Sequence, residues 1–167
     1  MRKHLPLSIL MSVALAGAVQ AADFVTNMSG TEEVPPRDTK ARATAVFEVA
    51  DDGLSLSYKL VLANIDNVTA SHIHLGAAGV NAPVVAFLYG NIPAGGGPIA
   101  GKVAEGTITA ADLVGPLAGQ PLSALLDAMA AGGTYVNVHT NDGIDPINTG
   151  AGDFPGGEVR GQIRSGE

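Results

Sequence analysis

The chain has no cysteine and no tryptophan, only seven aromatic residues, and just 15% charged residues in 167. Without cysteine, a disulfide scaffold, a thiolate metal centre and a lipid-modified cysteine are all excluded. Any metal site must be built from His, carboxylate or carbonyl groups. Positive charge is also scarce: 9 basic residues face 16 acidic ones, a net charge of −7. That is the wrong sign for coating a phosphate backbone, and the few aromatics offer little base stacking, so nucleic acid is not an expected partner. Gly-x-Ser-x-Gly, phosphate-loop and dinucleotide fingerprints are missing, and Ala94-Gly-Gly-Gly97 lacks the Lys and helix that would cradle phosphate. What the chain does have is 46% apolar residues, 22 Gly and 10 Pro. Turn formers at such short intervals point to a single domain of short strands, and against a helical bundle.

The first 21 residues combine Arg2, Lys3 and His4 with an apolar run from Leu5 to Val19 and a small-residue stretch ending at Ala21-Ala22. This pattern is that of a secretory signal peptide (residues 1–21), with residues 22–167 as the mature domain. Removing Arg2 and Lys3 leaves 7 basic against 16 acidic residues, a net charge of −9. The expected location is periplasmic or secreted, with no membrane association after cleavage.

Apolar residues alternate along Leu54 to Leu62, with Leu54, Leu56, Tyr58, Leu60 and Leu62 on one face, which predicts a half-buried antiparallel strand. The Asp51-Asp52-Gly53 turn joins it to a strand over Thr44–Val49. Further strands are expected at Phe24–Ser29, Val68–Leu75, Val84–Tyr89, Gly101–Ile108, Thr134–Thr140 and Glu158–Arg164. The expected fold is all-β, an antiparallel β-sandwich or Greek-key-like barrel of about eight strands. One short helix is predicted over Pro121–Ala131, with apolar residues at helical spacing and Gly132-Gly133 as its stop. Thr109 and Asp112 have the spacing of a capping box.

Three histidines remain after the signal segment: His72, His74 and His139. His72 and His74 are two apart, so in a strand both imidazoles share a face with Cα atoms about 6–7 Å apart, a chelating spacing. Parity places Ile73 and Leu75 opposite the pair, Val136 and Val138 opposite His139, and Val159 and Ile163 opposite Glu158 and Arg160. If these strands are neighbours, the polar residues converge on one face. The alternative for each element is structural: an isolated surface His pair is usually incidental, Glu158 and Arg160 would form an exposed ion pair, and Glu32-Glu33-Val-Pro-Pro36 would be a solvated edge. Matched parity favours His72, His74 and His139 as ligands of one metal ion, with Glu158 or Glu33 as a candidate additional ligand. Three imidazoles with room for solvent suit one transition-metal ion, with Cu or Fe favoured and Zn a third candidate.

Four segments together carry a resemblance: Met28-Ser-Gly-x-x-Glu-Val-Pro-Pro36, His72-Ile-His-x-Gly76, Tyr135-Val-Asn-Val-His-Thr140 and Phe154-Pro-Gly-Gly-Glu-Val-Arg-Gly-Gln-Ile163. In this order they resemble the chordin-type (CHRD) domain, over essentially all of residues 24–164. The resemblance implies an exported antiparallel β-sandwich more than it implies an activity. In animal chordin such domains belong to an extracellular binder of growth factors. The segment Asn141–Asp153 looks longer than the family's usual connection, as a lid or a surface insertion. The His72-Ile-His strand is also similar to the copper strand of Cu/Zn superoxide dismutases, but the chain lacks that family's other His ligands and its Cys pair. A mononuclear site is what this second similarity implies.

The leading expectation is therefore a redox-metal site acting on superoxide or a related small anionic oxidant, with Arg160 steering the substrate. The net charge of −9 opposes such a substrate globally, so local positive charge would have to overcome it. The competing expectation is a non-enzymatic metal- or protein-binding module, its protein partner not specified by the sequence.

Overall fold

The structure, a computed structural model, describes residues 23–166, and the expected signal peptide lies outside the described residues. The strands are β1 Phe24–Ser29, β2 Arg42–Val49, β3 Leu56–Asp66, β4 Val68–Leu75, β5 Val84–Tyr89, β6 Pro98–Ile108, β7 Thr134–Thr140, β8 Val159–Gln162 and β9 Arg164–Ser165. The helix α1 spans Leu122–Ala130. All pairings are antiparallel, in the order β5-β4-β7-β8-β1-β2-β3-β6, with β9 added to β1. The two edge strands β5 and β6 approach each other, so the sheet curls into a nearly closed barrel. The gap is bridged by Tyr58, whose hydroxyl donates to Leu88 O at 2.7 Å, and by Val114 N, which donates to Val85 O.

Alternation decides what fills the barrel. Leu56, Leu60, Leu62, Ile73, Val136, Val138, Val159 and Ile163 are buried together, as their shared parity requires. The helix contributes Leu122, Leu125 and Met129 to the same core, and Pro121 stands at its N-cap. The capping box also forms: both the Thr109 backbone N–H and its hydroxyl donate to Asp112 Oδ2 at 2.8 Å.

Several boundaries differ from the sequence expectation, and β2 starts two residues early, at Arg42. Leu54 is not part of β3; it is 69% exposed. Its N–H donates to Asp52 Oδ1, so the turn holds it outside the ladder and the strand begins at Leu56. β3 and β6 each run longer than expected, because β3 continues to Asp66 and β6 starts at Pro98, with register shifts between them that absorb the extra residues. The last expected strand is split at Ile163 into β8 and β9.

β8 lies between β7 and β1, and Gly161 within it sits against the β1 backbone: a Cβ there would overlap Asn27 O and approach Asn27 C to 2.8 Å. Backbone cannot swing aside as a side chain can. Gly161→Ala is therefore expected to cost about 2–3 kcal/mol by overpacking. Denaturant melts of the metal-free chain check this, and an unchanged midpoint would show that β1 and β8 separate freely.

Candidate metal centre

β4, β7 and β8 are consecutive in the sheet although far apart in sequence, and this adjacency assembles the site. The β4–β5 pairing shifts register between Ser71 and His72 and again between Ile73 and His74. Such bulges re-aim side chains, and here they flank both histidines of the pair. His72, His74 and His139 each offer a ring nitrogen, and these atoms lie within 4.8 Å of one another. This group could hold one metal ion.

His139 Nδ1–H donates to Pro155 O at 2.8 Å, which leaves its Nε2 lone pair facing His72 Nδ1 at 3.1 Å. Two nitrogens bound to one tetrahedral ion at ordinary bond lengths stand about 3.3 Å apart, so this pair is nearly set for chelation. Across this gap the His72 Nδ1–H donates to His139 Nε2, a contact that a bound ion would replace. His74 Nδ1–H donates to Ala82 O at 2.7 Å, and its Nε2 meets the Asn137 side-chain amide at 2.9 Å. The Asn137 oxygen Oδ1 faces that nitrogen. Because a neutral ring giving its Nδ1 proton to Ala82 O has only a lone pair at Nε2, the amide satisfies it by turning its NH₂ inward, and His74 joins a metal by giving up that contact. The two backbone carbonyls fix which nitrogen of each ring is free, the arrangement that typically orients histidine ligands.

Burial is the main reason all three imidazoles resist protonation. It holds His72 down at about 4, helped by His139 and then His74, and it also lowers His74 and His139 from the ordinary imidazole value. Around neutral pH the rings are uncharged, so a metal meets no imidazolium, and His72 frees its Nδ1 by carrying its proton on Nε2 instead. Access is from the β5 side, where a cavity of about 270 Å³ lined by His72, Phe87, Leu88, Tyr89, Gly90 and Asn91 opens to the surface. Phe87 packs edge-on against His72, with ring centroids 5.0 Å apart, and is 58% exposed.

The other residues singled out from sequence lie outside the three-histidine group. Glu158 is fully buried and both its oxygens are engaged: Oε1 accepts from Thr39 Oγ1, and Oε2 from Thr140 Oγ1 and Gly152 N. Because it precedes the first residue of β8, its side chain turns toward Thr140 and leaves the histidine face. Glu33 is buried against the Phe154–Gly157 turn, next to Gly157. Arg160 shares the histidine face but is 1% exposed; its guanidinium lies 3.4 Å over the Tyr135 ring and donates to Ala77 O and Val80 O. The Asn141–Asp153 segment is tied down near both ends: Asn141 N donates to Asn67 O, and Gly152 N to Glu158.

Two further residues, neither given a role by the sequence although parity sets Asn137 beside His139, take part in the site. Tyr135 stacks on His74 with centroids 4.6 Å apart and planes 6° from parallel, and Asn137 contacts His74 directly. Both share strand parity with His139, a signal that would have pointed to them.

Neither the curated proteins nor the solved structures give a match to this chain. The CHRD domain family model matches residues 24–145, a span that includes His72, His74 and His139 and stops short of Glu158 and Arg160. With most of the barrel inside that match, the chain belongs to the CHRD domain family.

Proposed function

We propose that this chain is an exported metal-binding module, periplasmic or secreted, that holds one transition-metal ion between His72, His74 and His139. The observation that carries this reading is the convergence of three imidazole nitrogens within 4.8 Å, two of them with the opposite nitrogen committed to a main-chain carbonyl. An all-nitrogen donor set suits Cu, Fe or Zn and is unsuited to a dedicated Ca or Mg cage. The cavity beside His72 leaves a side of the site open, the feature that separates a reactive centre from a closed structural one.

A second reading adds redox chemistry on a small anionic oxidant such as superoxide, for which a bound Cu or Fe would supply one-electron exchange. It is favoured by the place of Arg160, whose guanidinium lies over the Tyr135 ring that stacks on His74. Arg160 then attracts an anion through its field, since its guanidinium is buried.

The test loads the mature chain separately with Cu(II), Fe(II) and Zn(II), removes excess metal by dialysis and measures bound metal by elemental analysis. One ion per chain is expected for at least one of them; metal at background level for all three would overturn the reading. Superoxide decay is then compared with the same concentration of free ion. Faster decay that slows with added salt supports the redox reading, because screening weakens attraction between opposite charges. Decay no faster than free ion leaves a binding module.

A further inference from the structure

Glu33 is 4% exposed, and its Oε1 has no hydrogen-bond partner among the described residues. Such an orphan carboxylate oxygen is costly, so its position calls for a reason. The carboxyl occupies the space above Gly157 where a side chain would project: a Cβ there would come within 2.8 Å of Glu33 Cδ. Gly157 itself has φ of +125°, a conformation closed to residues with a side chain. Arg37 reinforces the same turn, donating from Nε to Gly157 O and stacking over Phe154. This turn carries Pro155 O, the acceptor that fixes the His139 tautomer.

On its other side Glu33 faces the charge of Arg160. Arg160 binds the 76–83 loop through Ala77 O, Val80 O and Asn81 Oδ1, and Asn81 Nδ2 returns to Val34 O, next to Glu33. That loop carries Ala82 O, the acceptor that fixes the His74 tautomer. Arg160 also covers the Tyr135 ring, which stacks on His74. One buried carboxyl thus packs on one of the two loops whose carbonyls aim the candidate ligands and reaches the other through Arg160 and through its neighbour Val34.

We propose that Glu33 is a positioning residue for the three-histidine site: through Gly157 and Arg160 it holds the two main-chain acceptors that set the tautomers of His139 and His74. The metal part of this inference rests on the function proposed above; the tautomer part does not. The charged groups facing Glu33 are Arg160 from β8 and Arg37 from the β1–β2 connection; the 76–83 loop brings none, and Glu158 is turned to Thr39 and Thr140. Burial outweighs both arginines and raises the Glu33 carboxyl to about 7. It therefore changes charge near neutrality while the imidazoles, all lowered, stay neutral.

Imidazole ¹⁵N spectra of the metal-free mature chain test this without any metal. His74 and His139 are expected as Nδ1–H tautomers whose signals shift together with a midpoint near pH 7. In Glu33→Gln that shared inflection should vanish and the tautomers become mixed. Glu33→Asp, which keeps the charge but withdraws it from Gly157, should retain the inflection with partial mixing. A wild-type chain with no inflection near 7, or a folded Glu33→Gln variant with unchanged His74 and His139 signals, overturns the proposal. Where Zn(II) binds the wild type, Glu33→Gln should weaken it by about 10–100-fold, the usual loss for a group that orients a ligand. Tautomer mixing in a chain that binds no metal at all would refute the metal function and leave Glu33 as a positioning residue.

Discussion

The His72→Ala, His74→Ala double variant is expected to lose its metal and keep its fold. Both side chains leave β4 on the face opposite Ile73, which is in the core, so their removal takes nothing from the barrel interior. Several neighbours are left with unmade contacts: Ala82 O and the Asn137 amide lose His74, His139 Nε2 loses the His72 donor, and the Tyr135 and Phe87 rings lose the imidazoles packed on them. Those losses amount to about 2–4 kcal/mol, less than the roughly 5–15 kcal/mol that holds a domain folded. The metal has no such reserve. Three imidazoles would share the ion as a chelate, and a lone His139 retains only a small part of that affinity. Bound metal should fall from one ion per chain to background while the circular dichroism spectrum stays that of the wild type. Equal metal in both proteins would place the ion elsewhere.

Leu60→Ala is expected to be the more damaging change to stability, and His139→Ala the milder one. Leu60 is fully buried in β3 against the core of the barrel, and truncating it removes apolar contact and leaves a cavity that rigid strands cannot fill. The cost should be roughly 2–5 kcal/mol. His139, partly exposed on β7, gives up its hydrogen bond to Pro155 O and its contact with His72, about 1 kcal/mol together. Thermal melts of the metal-free proteins should separate the two variants clearly. If His139→Ala melts as low as Leu60→Ala, His139 supports the core and the two-faced reading of β7 is wrong.

Strand periodicity made much of this protein readable in advance, because a side chain's face depends only on whether its position is odd or even. Parity alone placed His72 and His74 together and set them opposite Ile73, and it did the same for His139 against Val136 and Val138. Local chemistry carried the short helix, with Pro121 at its start, and the Thr109–Asp112 capping box. Sequence could not say which strands are neighbours, since β4 meets β7 and β7 meets β8 only through pairings between distant parts of the chain. Leu54 shows how a side-chain hydrogen bond from a turn ends an alternating pattern early. Glu158 shows how parity stops applying one residue outside a strand. The burial of Glu33 and Arg160 was equally hidden. Each looks like a surface charge by residue type, and only the packing of the 76–83 loop and the Phe154–Gly157 turn over the histidine face removes them from water. Period-two geometry is local and legible; loop packing and strand order depend on contacts between distant segments, and only the tertiary structure decided them.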